Sequence, residues 1–184
     1  MNKAKPKQKR KYYFAYGSNL CIRQMASRCP GALRVGPVVL PDYKLTFHTH
    51  ANIERSDGDQ VHGAIYSITL DDERALDRYE GFPNYYGKYA FECDVKAQNG
   101  DVRRVTVMFY AMSMIRTGPP SATYLQTILD GFADWDLPTE SVYQAVDDVE
   151  ARMQSMWDED DDADDEGENG WTERLHWIDR YLNK

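Results

Sequence analysis

Three short stretches of the chain carry residue types that could do chemistry. The first is Tyr16-Gly17-Ser18-Asn19-Leu20. It follows an aromatic run that reads as a strand and opens a segment that reads as a helix. There, successive backbone N–H groups can converge on one point and bind a carboxylate or phosphate without a cationic side chain. Gly17 would let a ligand come close, and Asn19 tolerates unusual φ. An ordinary strand-to-helix turn explains the same residues.

The second stretch is Leu76-Asp77-Arg78-Tyr79-Glu80-Gly81. Glu80 falls in the last turn of a short helix, where the negative end of the dipole disfavours a carboxylate. Partial burial would add to that effect and raise its pKa into the range useful for general acid–base work. The alternative is a surface Glu paired with Arg74 or Arg78. The third stretch is Pro119-Pro120-Ser121-Ala122-Thr123-Tyr124, preceded by Tyr110 on a strand. Tyrosine hydroxyls orient polar substrates in apolar pockets, although a Ser121 cap and two core tyrosines account for the same pattern.

The elements that must position these residues follow from local pattern. Residues 12–16 read as a buried first strand and 20–28 as a helix with Asn19 at its N-cap and Pro30-Gly31 as its stop. Strands are expected at 36–49, 61–69, 87–97 and 102–112, the last two joined by an Asn99-Gly100 turn. A helix over 71–80 has Thr69 or Asp71 as cap, acidic Asp72 and Glu73 in its first turn, and Gly81 at C′. Ala75, Leu76 and Tyr79 would make its apolar face. Ser121 caps a second helix to about 134, on which Tyr124, Leu125, Ile128, Leu129 and Phe132 recur at helical spacing. A third helix is expected over 139–157. The order of elements is mixed rather than a βα repeat, which points to an α+β fold with a compact, barrel-like mixed sheet and flanking helices.

Composition bounds the rest. The 184 residues suffice for one domain with a substantial core, and 42% of them are hydrophobic. Thirteen tyrosines and a net charge of −8 are present. Residues 3–11 carry six positive charges and read as a basic arm spanning 1–11. Residues 158–168 carry nine negative charges and read as a disordered linker over 158–170. Trp171, Leu175, Ile178 and Leu182 then suggest a terminal amphipathic helix over 171–184. The main domain is thus expected over 12–157. Acidity argues against nucleic acid as a partner, and no run reaches the roughly 18 apolar residues of a membrane span. The basic N-terminus has no apolar stretch after it, and the odd cysteine count argues against a disulfide framework. A cytoplasmic protein is expected. His48 and His50 would share a strand face, but no third ligand is evident, so no metal site is assigned.

Phe14-Ala15-Tyr16-Gly17-Ser18-Asn19-Leu20 resembles the signature of the γ-glutamylcyclotransferase family, and Asp77-Arg78-Tyr79-Glu80-Gly81 resembles the segment bearing that family's catalytic glutamate. Pro120 to Tyr124, followed by Gly131 and Leu137-Pro138, is similar to the C-terminal half of its glutathione-pathway branch. The likeness spans roughly residues 12–145. It implies a small-molecule γ-glutamyl substrate, cyclised to 5-oxoproline with release of its amine, and no metal or organic cofactor. Glu80 would be the general acid and base. Tyr16, Gly17, Ser18, Asn19 and Leu20 would bind the glutamyl group, Tyr110 and Tyr124 would line the pocket, and Tyr89 would match a further family tyrosine. A monomer or homodimer is compatible. A rival substrate is the side-chain amide of γ-glutamyl-lysine. A rival of another class is a non-catalytic interaction protein that binds a basic partner through its acidic and C-terminal segments.

Overall fold

The computed structural model describes residues 9–96, 100–113 and 118–161. The expected C-terminal helix, most of the acidic tract, the start of the basic arm and Asn99 lie outside these residues. Gly100, on the near side of that turn, has φ 89°.

Five strands make one sheet in the order β2-β3-β1-β5-β4. β1 (Arg10–Ala15) runs through its centre, antiparallel to β3 (His50–Thr69) and parallel to β5 (Val102–Met112). β2 (Leu33–His48) pairs with β3, and β4 (Tyr86–Lys96) pairs with β5, both antiparallel. The α+β class with a mixed sheet and flanking helices is therefore what the chain adopts. The arm ends earlier than expected, because Arg10 and Lys11 already pair with Thr69 and Ile68. The Arg10 guanidinium also donates to the Gly31 and Ser67 carbonyls.

β3 is longer than its buried part suggests. Residues 54–60 are polar and fall between the expected strands 36–49 and 61–69, yet β2 supplies them with backbone partners through Tyr43↔Arg55 and Pro41↔Gln60. Such pairing is non-local and leaves no hydrophobic trace. β2 and β3 meet in a tight turn in which His48 and His50 pair with each other across Thr49. The two histidines are thus not neighbours on one strand face. Thr49 has φ 68°, a strained conformation for a β-branched residue. Its N–H donates to the Gly118 carbonyl at 2.6 Å, which ties this turn to the segment leading into α3 (Ala122–Asp134).

A 3-10 turn (Ser18–Leu20) and α1 (Ile22–Arg28) follow β1. Asn19 lies inside that turn and does not cap a helix. The Ile22 N–H at the start of α1 instead finds the Asp134 carboxylate at the end of α3, at 2.7 Å. α3 approaches so closely that a Cβ on Gly131 would lie 2.5 Å from the Cys21 nitrogen. α2 (Leu70–Glu80) has a reciprocal cap: Thr69 Oγ1 accepts from the Asp72 N–H, and the Asp72 carboxylate accepts from the Thr69 N–H. α4 (Glu140–Asp161) packs on β2 and runs four residues into the acidic tract, past the end expected at 157. Phe14, Phe47, Phe109, Phe132, Leu20 and Leu76 lie wholly buried in a single core. No helix of the described residues is long and apolar enough to cross a membrane.

Candidate active site

One cavity of about 600 Å³ gathers residues from all three stretches. Its lining includes Tyr16, Gly17, Ser18 and Asn19 from the loop after β1, Glu80 from the end of α2, Tyr110 from β5 and Tyr124 from α3. The Thr49 to Ala51 turn closes another side. A Cβ at Gly17 would stand 3.1 Å from the Ala51 Cβ and 3.6 Å from the Tyr124 hydroxyl, so a glycine there keeps the loop close against the turn and α3.

Leu20 is not part of the lining. Its side chain is 0% exposed, and its carbonyl accepts from Trp135 Nε1 at 2.9 Å and from the Tyr66 hydroxyl at 3.2 Å. Leu20 therefore anchors the loop. Its N–H closes the 3-10 turn on the Gly17 carbonyl at 2.9 Å. Of the backbone N–H groups of Gly17 to Leu20, only those of Gly17, Ser18 and Asn19 precede that bond, and a helical turn leaves its first donors for other partners.

Glu80 is the last residue of α2, and Gly81 beyond it takes the left-handed conformation with φ 63°. Its carboxylate Oε1 accepts from Asn19 Nδ2 at 3.1 Å rather than from a cation. Burial pushes its pKa up to about 7, against the opposing pull of the Arg28 charge and the Asn19 hydrogen bond. The expected pairing partners are elsewhere: Arg74 pairs with Asp71 at 3.0 Å, and Arg78 is an exposed residue at the cavity wall. Tyr79 was expected on the apolar face of α2, yet it is 49% exposed and its ring lies under the Arg28 guanidinium.

The tyrosines divide by what their hydroxyls do. Tyr16 donates to the Tyr110 carbonyl at 2.7 Å and Tyr110 donates to Asp77 at 2.6 Å, so both offer the cavity mainly their rings. Tyr124 accepts from the Ala51 N–H at 3.2 Å, which leaves its own proton to donate. Burial holds that hydroxyl protonated by pushing its pKa up to about 12. Tyr89 is not in the cavity; it is half exposed and stacks on Phe109 at 5.6 Å. Tyr86, three residues earlier, lines the cavity, as do Tyr13 and Tyr85. These three were not singled out from sequence. Strand register decides which tyrosine faces inward, and no local signal distinguishes Tyr86 from Tyr89.

His48 is buried, with Nε2–H directed at Glu54 Oε1 2.6 Å away, while His50 packs edge-on against Tyr124. Among the described residues no group of three His, Cys, Asp or Glu side chains could hold a metal ion.

Residues 13–135 match the family model described as gamma-glutamyl cyclotransferase, AIG2-like. A gamma-glutamylcyclotransferase of Bos taurus is 32% identical over 141 residues, which make up 70% of this chain and 73% of that protein. The Homo sapiens protein of the same name is 31% identical over 140 residues, with the same coverage of 70% and 73%. A solved structure of a gamma-glutamyl cyclotransferase superposes with a TM-score of 0.60 at 30% identity, covering 78% of this chain and 88% of the other. The matched span contains the loop after β1, Glu80, Tyr110 and Tyr124 together, and the chain belongs to the AIG2-like gamma-glutamyl cyclotransferase family.

Proposed function

We propose that this chain cyclises a γ-glutamyl amino acid, peptide or amine to 5-oxoproline and frees the amine. The observation that carries the reading is Glu80, a carboxyl in the wall of a 600 Å³ cavity with a pKa near 7 and an amide rather than a cation on its oxygen. A group of that pKa can both take and return a proton at neutral pH.

The reaction needs no nucleophile from the protein. Glu80 takes a proton from the substrate's α-ammonium, and the freed amine attacks the γ-carbonyl carbon. The protonated Glu80 then gives its proton to the departing nitrogen and the γ C–N bond breaks. As the ring closes the attacking nitrogen gives up a second proton to solvent, and the freed amine takes one up from solvent, so one of the three α-ammonium hydrogens stays on the lactam nitrogen and the amine leaves as an ammonium. An oriented intramolecular attack starts from an effective molarity on the order of 10⁵ M or more. The cavity's task is to hold the folded-back conformer. In this reading the N–H groups of Ser18 and Asn19 would meet the glutamyl carboxylate or the developing oxyanion, with the Tyr124 hydroxyl as a further donor.

The test is 5-oxoproline release by wild type and by Glu80→Gln over γ-glutamyl amino acids, glutathione and γ-glutamyl-lysine. Release that drops at least about 10²-fold in the variant is expected, and the preferred amine names the substrate class. No release from any member of the panel overturns the reading. The rival reading, an interaction protein, rests on residues 158–184, and none of the geometry around Glu80 favours it.

A further inference from the structure

Resting on the reading of Glu80 as the proton-transfer group, a second residue stands out that touches neither the cavity nor the carboxylate. Arg28 ends α1, and its Nη1 donates to Asn19 Oδ1 at 2.5 Å and to Ser18 Oγ at 3.1 Å. The same guanidinium lies 3.5 Å from the centre of the Tyr79 ring, one residue before Glu80. One side chain thus joins the loop after β1 to the end of α2.

The chemistry of that contact has a direction. A guanidinium only donates hydrogen bonds, so the Asn19 atom facing it is the carbonyl oxygen. The amide nitrogen must then point the other way, and there it donates to the Tyr13 hydroxyl at 2.8 Å and to Glu80 Oε1 at 3.1 Å. Flipping the amide would set two donor groups against each other and bring Oδ1 against a carboxylate oxygen.

We propose that Arg28 is a positioning residue for Glu80: by fixing the Asn19 amide it occupies one carboxylate oxygen, Oε1, and leaves Oε2 to exchange the proton with substrate. Holding the cation one amide away, so that its charge acts on Glu80 from a distance while the amide makes the contact, is what keeps the acid useful. A direct ion pair would hold a carboxylate below its usual range, whereas burial alone would hold it above the range in which it can act as a base. Both the Arg28 charge and the Asn19 bond pull Glu80 down against burial.

The test follows the Glu80 carboxyl carbon through a pH titration by NMR, its signal assigned by its loss in Glu80→Gln, in wild type and Arg28→Met. The midpoint, about 7 in wild type, is expected to rise by on the order of one pH unit in the variant. The acid limb of kcat/KM should move with it, so that part of a roughly tenfold loss at pH 7 returns at pH 9. An unmoved midpoint overturns the proposal even where activity falls, because loosened packing alone would lower activity at every pH without shifting the titration. Arg28→Lys covers the case in which Arg28→Met does not fold. It keeps the charge, but a compact ammonium does not reproduce the planar fork that spans Ser18 and Asn19, so the Asn19 hydrogen bond to Glu80 is loosened and the midpoint should still rise, by less than in Arg28→Met, while kcat falls. A Lys variant with a wild-type midpoint overturns the proposal, whatever its kcat. Wild type that titrates as stated and releases no 5-oxoproline removes the cyclotransferase reading and leaves the Arg28 relay in place.

Discussion

Two glutamates two turns apart on α2 face the same side of the helix and meet opposite fates. Glu73, in the first turn, is 8% exposed and sits between two ammonium groups, Lys11 at 2.7 Å and Lys88 at 2.9 Å. Burial pushes its pKa up, but the hydrogen bonds and charges of the lysines outweigh it and hold the group below its ordinary value. The helix dipole favours a negative charge at that end. Glu80, at the opposite end, has the dipole against it, an amide for a neighbour and a pKa near 7. Burial pushes both carboxyls in the same direction. What separates a structural carboxylate from one able to move protons is whether a cation stands directly on it.

The boundary between the two environments runs through Asp77. It accepts from the Tyr110 hydroxyl at 2.6 Å and from Lys88 at 2.9 Å. Tyr110 lines the cavity while its hydroxyl belongs to the lysine-rich network behind it. That network is a wall for the site, held rigid by charge-assisted bonds.

The largest expected effect sharpens this contrast. Glu80→Gln should cost at least about 10²-fold in 5-oxoproline release, whereas Glu73→Gln should leave turnover within a few-fold. Comparable losses in both would mean that the reactive carboxyl is not distinguished by its missing cation. A linked prediction concerns pH. The acid limb of kcat/KM should have its midpoint at about 7, and activity should fall tenfold per unit below it.

Stability should show the same contrast with opposite signs. Glu80 binds its proton more tightly folded than unfolded, the unfolded value being about 4.3. It therefore adds a destabilising contribution that begins as pH rises through about 4.3 and is complete above about 7. Glu80→Gln should accordingly be more stable than wild type at pH 8, by about 2 kcal/mol in urea unfolding, with the advantage fading toward pH 4. Glu73 does the reverse. Its stabilisation is present above about 4.3 and is lost as pH falls through its lowered folded value. Glu73→Gln should cost about 1 kcal/mol at pH 7, because Lys11 loses its ionised partner and the partly buried Lys88 is left with Asp77 alone. That cost should shrink on acidification. If both variants shift stability in the same direction across pH 4–8, the contrast fails.

Smaller effects test the helix that carries both groups. Thr69→Ala removes the hydroxyl that caps α2 and should cost about 1 kcal/mol. Arg74→Ala removes an exposed pair with Asp71 and should stay within about 0.5 kcal/mol. A large effect of Arg74 would mean that surface charge on α2 matters more than its buried contacts.

Some of this was legible in the chain alone. Thr69 with acidic residues behind it and Gly81 after Glu80 mark both ends of α2, because caps and left-handed stops are decided within a few residues. Ser121 marks the start of α3 for the same reason, and β5 matches its expected span of 102–112. The last-turn position of Glu80, and hence the dipole acting against its charge, follows from local sequence too. Tertiary structure decided the rest. The polar half of β3 is a strand only because β2 lies beside it. Tyr86 rather than Tyr89 faces the cavity because register across β4 and β5 sets which side each residue takes. Leu20 leaves the site because Trp135 and Tyr66, distant in sequence, claim its carbonyl. Glu80 has a raised pKa and Glu73 a lowered one because Lys11 and Lys88 come from strands β1 and β4 and reach Glu73 but not Glu80. Caps and turns are short-range and can be read along the chain; which cation stands beside which carboxylate is settled by residues that meet only when the sheet has formed.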